Sequence, residues 1–335
     1  MADFNVNHIT GKQGPQGTVL AGVTTVSSTG SMRIPSGPTE QRGGRGRGII
    51  GPGTMAPANV NTINYITIAT TGNAQDFGDL SYGSAYRGGL ASSTRGVWMN
   101  GQNDQTTDYV TISSKGGGSD FGEATSSHMG GATFNSPTRG FRAGGSDPAQ
   151  TSNIMGMTIA STGSFYDAGD LTLIGTYQNG ASSSTRGIIF GGTNPGGTVL
   201  YKNIDVFTMA SGGNAIKFGE LLTARKYVDP AANTIRALAA GGEGSPAVVN
   251  IIEYVTIATE GNGTDFGDLI NANGTGKSGV VSSATRGVFG TSNPARNDDI
   301  EYVTIMSTGN AQDFGDLTEN IMYTGGCSDS NGGLG

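Results

Sequence analysis

Six copies of one short unit make up most of this chain, and that repetition limits what it can fold into more than any other feature. Each copy carries an arginine, usually in Thr-Arg-Gly ahead of apolar residues: Arg47, Arg95, Arg139, Arg186, Arg236 and Arg286. Each then carries a strand-like run around a threonine, as in "INYITIAT", "DYVTISS", "MGMTIAS", "IDVFTMAS", "IEYVTIAT" and "IEYVTIMS". Each closes on a motif such as "QDFGDL" that ends in an acid, at Asp79, Glu123, Asp170, Glu220, Asp268 and Asp316. A period of roughly 44 to 50 residues is the mark of units that stack, because one unit cannot bury its apolar face alone.

The run around Thr67 places Ile63, Tyr65, Thr67 and Ala69 on one side of a strand and Ile66 and Ile68 on the other. Apolar groups on both sides mean a strand covered on both faces. Gly72-Asn73, Gly261-Asn262 and Gly309-Asn310 then read as a turn needing positive φ, with "QDFGDL" as the returning strand. Ahead of each later arginine lies a small-residue run, as in "GGLASSTRGVWMNG" from 88 to 101, which reads as two more strands. Glycine makes up 59 of 335 residues, against roughly 7% in an average chain, which suits many short strands and tight turns. Four antiparallel strands per unit, six times over, predict an all-β fold, a six-bladed β-propeller occupying 43–335.

The first unit starts at Arg47 without the small-residue strand. "MYTGGCSDS" at 322–330 has the spacing of "TYQNGASSS" at 176–184 and no arginine strand after it. The C-terminal strand is therefore expected to complete the first blade and close the ring. From acid to next arginine the separation is 16 residues in four of five cases, so the crossing between blades has a set length. Length varies instead between the second and third strands, which nominates Asn103, Asp104, Asn194, Tyr201, Asn293 and Arg296 as candidates on binding loops.

Asp-Phe-Gly also holds magnesium in protein kinases, but here it recurs without the ordered lysine and catalytic loop that chemistry needs. The repeated arginines and acids are expected to be structural, each arginine pairing with an acid near the blade ends and satisfying local carbonyls. Calcium binding by "DFGD" lacks the denser Asp/Asn-Gly loops such sites use, so no metal is expected. With two histidines, His8 and His128, a serine triad or histidine-rich metal centre is hard to assemble, and carboxylate chemistry singles out no pair. No catalytic residue, cofactor or enzyme activity is expected. Trp98 reads as core. Cys327 stands alone, which rules out an intrachain disulfide.

The segment 1–42 stands outside the repeat and is expected to be an anchoring arm. "TVLAGVTTVSSTGSMRIP" alternates apolar and polar residues around a Thr-Gly turn, the pattern of a hairpin or extended arm. Residues 1–50 carry net +3 within a chain of −7 overall. "QRGGRGRGII" resembles an RGG segment, but Arg47 belongs to the repeat, which leaves Arg42 and Arg45 as a short basic lead-in; no nucleic-acid partner is expected. No signal core or bilayer-length apolar run appears, so synthesis in a reducing cytoplasm and no membrane partner are expected.

The double glycines of "RGIIFGG" and "RGFRAGG" followed by "IEYVTI" resemble kelch-type propeller repeats, with Phe where those carry Trp. More broadly, "GTVLAGVTTVSSTGSMRIPSGPTEQRGGRGRG" and the recurring "YVTIAT" and "DFGDL" phrases resemble the repeat-containing virion structural proteins of tailed phages of marine cyanobacteria. That resemblance implies a virion location, many copies per particle, and other virion proteins as partners through residues 1–42. The reading beside it is an adsorption protein whose propeller binds a host surface glycan.

Overall fold

The computed structural model describes residues 25–26, 32–33 and 46–330, apart from 56, 125–128, 147–148, 164, 273, 275–278 and 293–296. No helix occurs among them. Six four-stranded antiparallel sheets form six blades, and their innermost strands touch one another in ring order around an axis. Blade 2 is typical: Gly88–Ala91 innermost, then Arg95–Met99, Thr106–Thr111 and Ser119–Glu123 at the rim. Blades 3 to 6 repeat this order from Ala132, Asn179, Asp229 and Val280. This is the six-bladed β-propeller expected from the repeat.

Blade 1 is built from both ends of the described chain. Gly326–Ser328 pairs antiparallel with Arg47–Ile50, which pairs with Thr62–Thr67 and that with Gln75–Asp79. The C-terminal strand thus closes the ring as expected. A second tie holds nearby, where Thr54 and Met322 exchange backbone hydrogen bonds of 2.8 and 2.9 Å. In the arm, Thr25–Val26 pairs antiparallel with Met32–Arg33.

The apolar core lies between blades rather than in one centre. Ile49, Phe77, Trp98 and Val110 pack where blade 1 meets blade 2, and Ile50, Ile66, Val288 and Phe314 where blade 6 meets blade 1. That is why the third strand carries apolar groups on both faces. Trp98 is fully buried and donates its indole N–H to the Gly325 carbonyl at 3.3 Å. It is core, as the sequence indicated.

The rim strand explains "DFG". In every blade the register shifts there, so that Phe77, Phe121, Ala168, Phe218, Phe266 and Phe314 each fall in a β-bulge, turned into the core. The following glycine has φ between 135° and 146° in five blades. It also lies hard against the next blade: a Cβ on Gly169 would sit 2.1 Å from the Gly213 carbonyl oxygen. The rim strand is a sheet edge, and the neighbouring blade covers it. The turn glycines Gly72, Gly116, Gly163, Gly213, Gly261 and Gly309 donate N–H to the carbonyls of Phe314, Phe77, Phe121, Ala168, Phe218 and Phe266, at 2.7 to 3.1 Å. Asparagine after the glycine adds a second link: Asn73, Asn214, Asn262 and Asn310 accept the N–H of Asp316, Asp170, Glu220 and Asp268.

The arginines correct one expectation. No ion pair among the described residues joins a repeat arginine to a repeat acid. Each guanidinium instead donates to a carbonyl of the next blade: Arg47 to Ile112, Arg95 to Ile159, Arg139 to Met209, Arg186 to Ile257, Arg236 to Ile305 and Arg286 to Ile68. The reason is geometric. The arginine begins the second strand at one end of the blade, and the acid ends the rim strand at the other. In four blades the guanidinium also lies over a tyrosine ring of its own third strand, at 4.2 to 5.0 Å: Tyr65, Tyr109, Tyr254 and Tyr302. Where Gly156 and Val206 replace that tyrosine, Arg139 and Arg186 reach a second carbonyl, of Ala210 and Ala258.

Two outcomes test this architecture. Truncation at residue 317 removes Ile321, Met322 and the closing strand, and should abolish the cooperative transition in thermal circular dichroism. Gly169→Ala should lose about 1–3 kcal/mol through overpacking against backbone, whereas Gly72→Ala, with open space around its Cβ, should lose less in the same melts.

Candidate functional site

Strand direction alternates within each blade, so the disc has two chemically different faces. The back face carries the turns after the innermost and third strands, together with the arginines. The front face carries the crossings between blades, the loops between second and third strands, and the repeat acids at the ends of the rim strands.

The crossings are held by an acid that the repeat analysis passed over. Asp108, Asp205, Glu253 and Glu301 occupy one equivalent, buried position on the third strand, with Asn64 in blade 1 and Met155 in blade 3. The four acids and Asn64 each accept from the incoming crossing two residues past the rim acid. Asp108 accepts the Ser81 hydroxyl at 2.6 Å, and Asp205 accepts the N–H and hydroxyl of Thr172 at 3.0 and 2.7 Å. Glu253 accepts the Leu222 N–H at 2.8 Å, Glu301 the Ile270 N–H at 2.7 Å, and Asn64 the Thr318 hydroxyl. The grip anchors the start of the crossing at the same point of the next blade in each of these five cases. The signal was present in "IDVFT" and "IEYVT", but period-2 reading placed that residue on a face without telling whether the face met solvent or the next blade.

Two of these acids carry a buried arginine. Arg87 donates to Asp108 at 2.8 Å and lies 3.7 Å from Asp104, and Arg225 donates to Glu253 at 2.7 Å. Burial pushes the Asp205 and Glu301 carboxyls up, against the donors that pull them down, the Thr172 hydroxyl and N–H for Asp205 and the Ile270 N–H for Glu301. Arg142 faces the junction of blades 2 and 3, where it donates to the backbone and side-chain oxygens of Asn100; burial, with Arg87 nearby, lowers its pKa to about 9.

At the front end of the axis stand four tyrosines at one equivalent position: Tyr86, Tyr177, Tyr227 and Tyr323. All four have φ between 56° and 62°, and Gly130 takes the same place in blade 3 with φ 71°. A bulky residue in this region is strained by about 1–3 kcal/mol, so its surroundings must hold it there. They do so with a chain of backbone bonds around the mouth: Tyr86 N–H to Tyr323, Tyr177 N–H to Gly130, and Tyr227 N–H to Tyr177. The rings crowd around the axis: neighbours Tyr86 and Tyr323 lie with centroids 4.5 Å apart and neighbours Tyr177 and Tyr227 4.4 Å apart, and Tyr86 and Tyr177, two blades apart, come within 6.1 Å. Lys226 lies 5.2 Å from the Tyr227 ring. Burial drives the Tyr86 and Tyr227 phenols far above their ordinary value, so both stay neutral hydrogen-bonding groups. The tyrosines close the front mouth. Behind them the channel narrows to cavities of about 70 and 60 Å³, room for a few waters, because glycines let the inner strands approach; a Cβ on Gly89 would meet the Gly326 oxygen at 2.3 Å. Cys327 lines this channel, and burial raises its thiol pKa.

The loop residues separate into kinds. Asn103, with φ 55°, is exposed in its turn. Asp104 is not available for recognition: it is 7% exposed, beside Arg87, and accepts the Thr106 N–H. Asn194 organises its own loop, its side-chain oxygen accepting the Val199 N–H at 2.7 Å. Tyr201 donates its hydroxyl to the Ile174 carbonyl at 2.9 Å and ties that loop to the crossing before blade 4. Asn293, Arg296, His8 and His128 lie outside the described residues. Of the repeat acids, Asp79, Glu123, Asp170 and Glu220 are exposed and Asp268 and Asp316 partly so, one per blade around the front rim. Asp316 also stands with Asp298 and Asp299, whose carboxylate oxygens lie within 4.8 Å of one another.

Compared with known proteins, the chain matches no family model and no curated protein in sequence.

The raised Glu301 pKa fixes the sign of one pH effect. The folded state holds this proton more tightly than the unfolded chain, so titration adds stability as pH falls through the raised value and the gain is complete below the usual 4.5. Denaturant melts of wild type and Glu301→Gln should therefore show the difference moving in favour of wild type from pH 7 to pH 4.

Proposed function

We propose that this chain is a non-enzymatic structural protein of a tailed bacteriophage particle, held by its N-terminal arm and presenting the propeller outward. One observation carries the reading: the point where the chain enters the disc and the variable loops lie on opposite faces. The chain joins the disc at Gly46, whose carbonyl accepts the Ile68 N–H at the back. The front bears the variable loops and the rim carboxylates. A module held from behind leaves its front free, and variable loops on a rigid scaffold suit contact with something outside.

The construction also favours a structural role. Every sheet edge among the six blades meets a neighbour, so the disc offers little for edge pairing. The source of the particle rests on the resemblance of the repeat phrases to cyanophage virion proteins. No helix of the described chain is long and apolar enough to cross a membrane. A second reading, attachment to a host glycan, draws on exposed Asn103 and the loops at 100–107 and 191–202 of the same front face.

Mass spectrometry of purified particles, with gold-labelled antibody against the propeller, should place the protein on the particle in many copies. Its absence from particles that infect normally overturns the proposal. A glycan array should show binding that is lost on swapping the two loops if the second reading holds.

A further inference from the structure

Most of the exposed large apolar side chains lie on the front face. Ile174 and Leu222 are each half exposed, Val199 is 53% exposed, and Leu173 stands beside them at 38%. All four sit on the segments gathered at the front end of blade 4. Tyr201 bonds the Ile174 carbonyl and Lys202 the Leu222 carbonyl, both at 2.9 Å, so the crossings on either side of blade 4 are drawn to the loop that carries Val199. Tyr82 and Ile270 add exposed apolar groups on other crossings of this face. Around them runs the rim of carboxylates. A contiguous apolar patch with a charged border marks an interaction surface, since its burial is worth about 25 cal/mol per Å².

The chain itself holds a segment of matching chemistry. Residues 1–45 contain four Lys/Arg and two Asp/Glu, against fifteen and twenty-four in 46–335. The stretch "TVLAGVTTV" at 18–26 supplies alternating apolar residues, and Arg33, Arg42 and Arg45 supply charge. This arm leaves at Gly46, on the back face. To reach its own front a segment joined there must round the disc, whereas in a stack of discs facing one way the back of one copy, with Gly46, stands opposite the front of the next.

We infer that the arm of one copy docks on the front face of a second, its apolar residues on the patch around blade 4 and its arginines toward the rim acids. Such a contact joins unlike surfaces and does not close on itself, so it extends into a linear stack in which the last disc alone exposes its front face. This names the partner of the arm within the reading above and rests on its back-to-front arrangement.

The test uses the full chain and two exposed-surface variants that each disable one end. Ile174→Asp with Leu222→Asp removes the patch, and Arg33→Glu, Arg42→Glu, Arg45→Glu reverses the arm. Sedimentation velocity should show wild-type mass rising with concentration above the 33.9 kDa monomer, and association should weaken about tenfold or more between 50 and 500 mM salt. Each variant alone should stay monomeric. Mixed in equal amounts they should form 1:1 dimers and nothing larger, because one competent patch then meets one competent arm. Wild type that is monomeric throughout, variants that still assemble, or a mixture that stays monomeric each overturn the inference. If the aspartate variant melts early, Ile174→Ser with Leu222→Ser replaces it. A monomeric chain still found in particles sinks the stacking and leaves the proposed function; an assembling chain absent from particles does the reverse.

Discussion

Every blade depends on its neighbour to satisfy a backbone it cannot satisfy alone. A four-stranded sheet ends in an outer edge of open carbonyls, and here the next blade's turn glycines donate to that edge all the way round. The arginines add one or two bonds per junction at the back, eight in all, each from a charged donor to a carbonyl. Charge-assisted bonds of this type are worth roughly 1.5–3 kcal/mol when partly buried. Because every contact runs from one blade to the next, the arrangement is complete only as a ring, and the C-terminal strand in blade 1 is what completes it.

The same dependence explains which residues repeat and which vary. Glycine in "DFG" repeats because a neighbouring backbone occupies the place of a Cβ. The buried acid repeats because it holds the crossing from the previous blade. Where one member of a pair changes, its surroundings change too. Gly156 leaves space that the Tyr166 ring opposite it fills, and Arg139 takes a second carbonyl in place of a tyrosine face. The free variation is left to the loops of the front face.

That face joins a rigid centre to a more permissive surround. Four strained tyrosines, held by backbone bonds to one another, close the axis and give the loops a firm base. Outside them the carboxylates and apolar crossings face water. An arm of opposite charge leaving the opposite side gives the molecule a polarity along its axis, which a disc with equivalent faces would lack.

Much of this was legible in the chain. Six arginines, six threonine-centred strands and six "DFG"-like motifs counted the blades, and the strand missing at Arg47 with its counterpart at 326–328 foretold the closure. The roles of the charges were not legible. Spacing puts Arg95 and Glu123 in the same blade but does not say that they stand at opposite ends, and it places Asp108 on a strand face without saying that a crossing from another blade lies over it. The tyrosine at 86, 177, 227 and 323 recurs in four copies of six, yet the meeting of the rings around the axis depends on where the blades converge. The sequence by itself determined the number of blades, their strand order and the way the ring closes, because these follow from periodicity within the unit. Which polar group meets which was decided only by the tertiary structure, since the partners of the repeat arginines and turn asparagines lie one blade away, more than forty residues along the chain, in contacts made only where blade meets blade.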